Sequence, residues 1–186
     1  MPANERRFVV LDRDGTVIVE RHYLSDPEGV ELIAGAGDAL RRLAALGLGL
    51  VVVTNQSGIG RGLFDHARLG EIHARVEALL AGEGVRLAGI YYCPHHPEDR
   101  CACRKPRTAL LDRAARELGF EPSRAFVVGD MASDVDLGRA VGATTLLVRT
   151  GHGARLAGSG ELQPDYVVDD LGAAAVLIER LLSPAR

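Results

Sequence analysis

Phe8-Val-Val-Leu-Asp-Arg-Asp-Gly-Thr16 decides the fold. Four consecutive apolar residues, Phe8 to Leu11, read as a short strand buried on both faces. The run breaks abruptly on Asp12, Arg13 and Asp14, and Gly15 permits a sharp turn after them. Carboxylates two positions apart on extended backbone face the same side. A buried strand that ends in two such carboxylates places chemistry at the carboxyl edge of a sheet.

The same alternation continues outward from this strand. Ala36, Leu40, Leu43 and Leu46 have helical spacing, with Gly47 as a stop, and Leu48 to Val53 is a second strand. Asp65 caps a helix whose inner face is Leu69, Ile72, Val76, Leu79 and Leu80. Ile90-Tyr91-Tyr92 is a short strand. Thr108 caps a helix with Leu111, Ala114, Ala115 and Leu118 inside and Gly119 at its end. Ala125 to Val128 is a strand, residues 134–141 a short helix closed by Gly142, and Thr145 to Val148 a further strand. Residues 151–164 read as an exposed loop, Tyr166 to Val168 as a last strand and Leu171 to Leu182 as a helix. Strand and helix alternating at this spacing predict right-handed crossovers. The expected class is α/β, a Rossmann-like, doubly wound, mainly parallel sheet in a single domain over residues 1–186.

Composition agrees and narrows the choices. Of 186 residues 47% are apolar and only 4% aromatic, with no Trp, so aliphatic side chains must fill the core. The formal net charge is -3 and no basic stripe occurs, so no nucleic-acid partner is expected. Residues 1–7 carry no apolar leader, and no run of about 20 apolar residues appears, so a cytoplasmic protein without a membrane partner is expected. No apolar stripe is left over, which reads as a monomer. Three cysteines, Cys93, Cys101 and Cys103, cluster beside histidines; this reads as a metal site in a reducing compartment rather than a disulfide frame.

Four distant stretches converge on the carboxyl edge: Asp12 and Asp14; Thr54, Asn55, Gln56 and Ser57; Arg104 and Lys105; Gly129 and Asp130. Asp12 and Asp14 taken alone also fit a turn with solvated carboxylates. Placed with Thr54, Lys105 and Asp130 they read as a phosphoryl-transfer site. Crowded carboxylates call for a cation, and Asp12, Asp14 and Asp130, with Asp134 nearby, offer the oxygen donors Mg²⁺ prefers. Asp12 serves as nucleophile, Asp14 as general acid and then base, and Thr54 and Lys105 hold the equatorial oxygens.

Leu11-Asp-Arg-Asp-Gly-Thr16, Thr54-Asn-Gln-Ser57, Lys105-Pro106 and Gly129-Asp130-x-x-x-Asp134 resemble, in order and spacing, the four motifs of the haloacid-dehalogenase-like phosphatases. Tyr91-Tyr-Cys-Pro-His-His-Pro97 and Cys101-Ala-Cys-Arg-Lys-Pro106 are similar to the heptose-bisphosphate and histidinol phosphatase subfamily. That resemblance implies structural Zn²⁺ on Cys93, His95, Cys101 and Cys103, with His96 as the substitute ligand, in an inserted loop over residues 93–103. It implies hydrolysis of the C7 phosphate of a heptose 1,7-bisphosphate, with histidinol phosphate or a broad range of sugar phosphates as the alternative. Glu20, Arg21, His22 and Tyr23 match a substrate loop by position. Asn55, Gln56 and Ser57 are candidate substrate contacts, and Arg104 a candidate grip on the second phosphate. Arg104 alternatively pairs with the thiolates, and Arg21 and His22 alternatively form plain loop surface. Met131 departs from the pattern, where relatives often carry Lys. Intervals of about 40 residues between Asp14 and Thr54 and about 50 between Thr54 and Lys105 leave no room for a cap domain. His66, His73 and His152 read as surface residues. From other classes, a silent zinc scaffold lacks a reason to keep the acidic set, and a phosphotransferase would need a site closed to water.

Overall fold

The computed structural model describes residues 6–160 and 162–183. Strands β1 (Phe8–Leu11), β2 (Gly49–Asn55), β3 (Gly89–Cys93), β4 (Phe126–Gly129), β5 (Thr144–Val148) and β6 (Tyr166–Val168) pair in the order β3-β2-β1-β4-β5-β6. Every pairing is parallel. The chain winds outward from β1 to β3, then returns to lay β4 on the other side of β1. This reversal opens a crevice at the carboxyl end of β1, where such sheets bind ligands.

Among the described residues six α-helices cover the sheet: α1 (Ala36–Ala45), α2 (His66–Gly82), α3 (Ala109–Leu118), α4 (Ala132–Ala140), α5 (Gly153–Ser159) and α6 (Leu171–Leu182). Alternation along β1 divides the core. Val9 and Leu11 pack with Leu40 and Leu43 of α1, Ile72 and Val76 of α2, and Ile178 of α6. Phe8 and Val10 face the other way, with Leu111 and Ala114 of α3 and Leu137 of α4. The first layer is almost wholly aliphatic and the second adds Phe8, Tyr91 and Phe120 to its aliphatic residues; each fully buried Leu, Ile or Val contributes about 1.5–3 kcal/mol. One stacked pair, Phe8 on Phe120 with centroids 4.3 Å apart, closes the amino-terminal end of the second layer.

The doubly wound parallel class expected from the sequence is the one observed, and no cap domain interrupts the described residues. Some boundaries differ. β2 extends through Thr54 and Asn55 because both continue to pair with β3, opposite Tyr92 and Cys93. α4 starts at Ala132, where the Asp134 carboxylate accepts from the Met131 amide and caps the first turn. Thr108 makes no capping bond; its hydroxyl donates to Asp112 instead. The stretch read as an exposed loop over 151–164 contains α5, whose Ala-Arg-Leu-Ala run favours helix although the flanking glycines hide it. No helix among the described residues is long and apolar enough to cross a membrane.

Candidate active site

β1 delivers Asp12 into the crevice, where its amide donates to Val128 O of β4 at 2.9 Å. The Asp12 Oδ1 accepts from the Arg13 amide at 2.7 Å and pairs with Lys105 Nζ at 2.9 Å. Among the described residues nothing engages Oδ2, which leaves that oxygen free to attack.

Lys105 is 4% exposed. Its ammonium also donates to Val53 O at 2.7 Å and pairs with Asp134 Oδ1 at 2.6 Å. Burial opposes the charge, yet the two carboxylates outweigh it and raise the lysine above its ordinary value. Asn55 explains how the loop presents this lysine. Its amide oxygen accepts from Lys105 N at 3.0 Å and its Nδ2 donates to Lys105 O at 3.3 Å, as a neighbouring strand would. Asn55 thus holds the backbone of Lys105 while also lining the pocket.

Asp130 leaves β4 on the opposite wall and is 1% exposed. Its Oδ2 accepts from the His152 amide at 2.8 Å. Gly15 and Gly151 press so closely on this carboxylate that a Cβ at either would overlap it, and both carry positive φ. Oδ1 is buried without a partner. Burial first, then the charge of Asp12, pushes the pKa of Asp130 up to about 8. Burial likewise lifts Asp134 to about 6, against the pull of Lys105.

Asp12, Asp130 and Asp134 each bring an oxygen within 4.8 Å of the others. A bare buried carboxylate oxygen, with two more carboxylates beside it, is the environment that a hard divalent cation neutralises, and Mg²⁺ fits the all-oxygen set. Asp14, expected in that set, lies outside the cluster. Its side chain is turned to Arg13 and Gln56, and Asp134 takes the third place.

A pocket of about 230 Å³ opens over these groups, lined among others by Asp12, Asp14, Thr54, Ser57, Arg104 and Lys105. Thr54 Oγ1 accepts from Gln56 Nε2 at 3.0 Å, so its own hydrogen is available to a ligand. Arg104 Nη1 is buried with no partner, so the guanidinium is not spent on the thiolates beside it. Glu20, His22 and Tyr23 form one rim. His22 and Tyr23 hold φ of 37° and 61°, a left-handed geometry that side chains adopt only when their surroundings impose it. Glu20 accepts from the His22 amide at 2.7 Å. Arg21 is absent from this wall and pairs with Glu31 at 2.5 Å.

The cysteine loop arrives from β3. Cys93, Cys101 and Cys103 place their sulfurs 3.2–3.5 Å apart, with His95 Nδ1 3.1 Å from Cys103 Sγ. These separations are too long for a disulfide and close to the edge of a zinc tetrahedron, about 3.8 Å for bonds of about 2.3 Å. Three soft sulfurs and one imidazole suit Zn²⁺. Burial raises the Cys93 thiol, an apolar setting in which a cation would be needed to hold the thiolate. His96 is outside the cluster; its Nδ1 accepts from the Glu98 amide and caps the following turn. The Arg107 guanidinium ties the loop by donating to the carbonyls of Arg100 and Cys101.

Arg13 escaped the sequence reading as a participant; of the histidines read as surface residues, one lines the pocket and one is partly buried. Arg13 is 1% exposed and grips Asp14; a cation between two aspartates at the end of a buried strand was the available signal. His152 is exposed, as expected, and lines the pocket, where its amide serves Asp130. His73 has a buried Nε2, and burial, with the charge of Arg13, lowers its pKa to about 4. His66 does lie at the surface, beside the Tyr92 hydroxyl.

The HAD-hydrolase-like family model matches residues 102–174. Over 185 residues the chain is 37% identical to the D-glycero-beta-D-manno-heptose-1,7-bisphosphate 7-phosphatase of Pasteurella multocida, covering 96% of this chain and 100% of that protein. The enzyme of the same name from Haemophilus influenzae is 39% identical over 184 residues, 94% and 98% of the two chains. Among solved structures, D,D-heptose 1,7-bisphosphate phosphatase from B. bronchiseptica, complexed with magnesium and phosphate, superposes with a TM-score of 0.88 at 34% identity. It covers 94% of this chain and 99% of that one.

Proposed function

The chain belongs to the HAD-like hydrolases, among the D-glycero-D-manno-heptose 1,7-bisphosphate 7-phosphatases, and we propose that it removes the C7 phosphate of the beta bisphosphate and leaves the C1 phosphate in place. The observation that carries this reading is the meeting of Asp12, Thr54, Lys105 and Asp130 around one pocket, with the unpaired Arg104 on its wall.

Asp12 Oδ2 attacks phosphorus in line with the bond to the C7 oxygen. That P–O bond breaks as the bond to Asp12 forms, and Asp14 gives its proton to the departing alkoxide. Lys105 and the Thr54 hydroxyl hold the equatorial oxygens as their charge grows. Water then attacks the aspartyl phosphate, Asp14 takes its proton back, and Asp12 and inorganic phosphate are regenerated. Asp12, Asp130 and Asp134 would hold Mg²⁺, which supplies charge neutralisation for the phosphoryl oxygens. Cys93, His95, Cys101 and Cys103 would hold Zn²⁺, and four protein ligands make that site structural: it orders the loop that carries Arg104 and Lys105. Arg104 grips the retained C1 phosphate, and the rim of Glu20, His22 and Tyr23 meets the sugar.

All these residues come from one chain, so the reading needs no second copy. Clustered free thiols fit a reducing, cytoplasmic setting. Phosphate release from both anomers of heptose 1,7-bisphosphate and from histidinol phosphate tests the substrate. A preference for the beta bisphosphate of about 100-fold or more in kcat/KM is expected, about 2.7 kcal/mol of discrimination. Preference for histidinol phosphate would overturn the substrate and keep the chemistry.

A further inference from the structure

Gln56 stands in the sequence as a candidate substrate contact, yet its side chain is committed within the protein. It is 6% exposed. Its Oε1 accepts from Arg13 Nη2 at 3.0 Å. A guanidinium only donates, so this bond settles which end of the amide is oxygen. The amide nitrogen then donates to Asp14 Oδ2 at 2.8 Å and to Thr54 Oγ1 at 3.0 Å. Both amide hydrogens and the oxygen are occupied.

Arg13 completes the arrangement. Its Nε and Nη2 lie 3.1 and 3.0 Å from the two oxygens of Asp14, a fork on a carboxylate. Among the described residues Asp14 is the one carboxylate paired with this buried cation. The side chain of Asp14 is 20% exposed, open to the pocket on one side and held by three donors on the other. A carboxylate on a turn is otherwise free to rotate, and general acid–base catalysis depends on hydrogen-bond reach to the reacting oxygen.

We propose that Gln56 and Arg13 are positioning residues of the acid–base step: they hold the Asp14 carboxylate in one orientation, and Gln56 makes no contact with the sugar. This rests on the role assigned to Asp14 above. The amide of Gln56 also occupies the Thr54 oxygen as an acceptor, which leaves the hydroxyl hydrogen for a ligand, whereas Arg13 makes no hydrogen bond to Thr54.

Two variants, Gln56→Met and Arg13→Lys, test this on two substrates. An alkoxide needs a proton to leave, whereas p-nitrophenolate leaves without one. On the sugar phosphate kcat is expected to fall about 10- to 100-fold with KM within about twofold, because general acid catalysis is worth about 10²–10⁴. On p-nitrophenyl phosphate the first, pre-steady-state release of p-nitrophenolate, which precedes the base step on water, is expected to slow under about threefold in Arg13→Lys and somewhat more in Gln56→Met through Thr54. If the wild type spares heptose bisphosphate, any sugar phosphate it does hydrolyse serves as the alkyl substrate, so a wrong substrate does not masquerade as a wrong positioning role. A rise in KM at unchanged kcat, equal losses in the first, leaving-group-releasing turnover on both substrates in both variants, or no loss on the sugar phosphate overturns the proposal. Thermal melting checks both proteins, and Gln56→Met, close to Gln in length, carries the test if Arg13→Lys does not fold.

Discussion

Lowering the pH from 9 to 6 is expected to weaken magnesium binding by about 200-fold, and Asp130 supplies about 100-fold of the effect. Its pKa stands at about 8, against about 3.9 for a free aspartate, because it is buried beside Asp12. Protons and metal compete for the same oxygens. At pH 6 the group lies about two units below its pKa, so about one molecule in a hundred presents the charged form. Affinity therefore rises about tenfold per unit up to pH 8 and then levels, a span of about 2.7 kcal/mol. Asp134, at about 6, adds about a further factor of two at the acid end. The metal-free protein obeys the opposite sign. A folded pKa above the unfolded value contributes stability in full below about pH 4, and that stability is lost as pH rises through about 8. Isothermal titration calorimetry at pH 7, in two buffers of different ionisation enthalpy, should find about one proton released per Mg²⁺. A dissociation constant constant within about twofold from pH 6 to 9, with no proton release, would refute the reasoning and show Asp130 already ionised without metal.

Three further outcomes are expected. Asp12→Asn should cut turnover at least about 10³-fold while the protein still folds with its zinc content unchanged, although Lys105 loses one of its two carboxylate partners; residual activity above a few per cent would place the nucleophile elsewhere. Lys105→Met leaves Asp12 and Asp134 buried without their shared cation, and urea denaturation without Mg²⁺ should show a loss of about 3–5 kcal/mol, partly recovered on adding Mg²⁺. Cys103→Ser should lower zinc content well below one per chain by metal analysis and depress the melting temperature, because the loop from β3 loses one of its four ties; unchanged zinc and melting would dismiss the site.

Much of the architecture was legible because its signals are local. Phe8 to Leu11 ends on Asp12 whatever surrounds it, and alternation of strands and helices at this spacing admits few topologies. Gly119 in left-handed geometry closes α3, and the Asp65 side chain caps α2, each from its own few residues. Convergence of Asp12, Thr54, Lys105 and Asp130 follows from placing each at the end of a parallel strand or in the loop beside it. The cysteine cluster was likewise visible, since its four ligands fall within eleven residues.

Side-chain commitments were decided by the tertiary structure, because they depend on partners far apart in the chain. Asn55 and Gln56 read as polar groups free to meet a ligand, yet one holds the Lys105 backbone 50 residues away and the other joins Arg13 to Asp14 and Thr54. Asp134 rather than Asp14 joins the carboxylate cluster because α4 turns it under Lys105, while Arg13 draws Asp14 aside. Arg21 turns from the pocket to Glu31, and α5 forms where glycines suggested a loop. Periodicity and spacing reveal which backbone segments can come together. Which of two carboxylates faces a cation depends on burial, charge and hydrogen-bond partners, and these exist only once distant segments have packed.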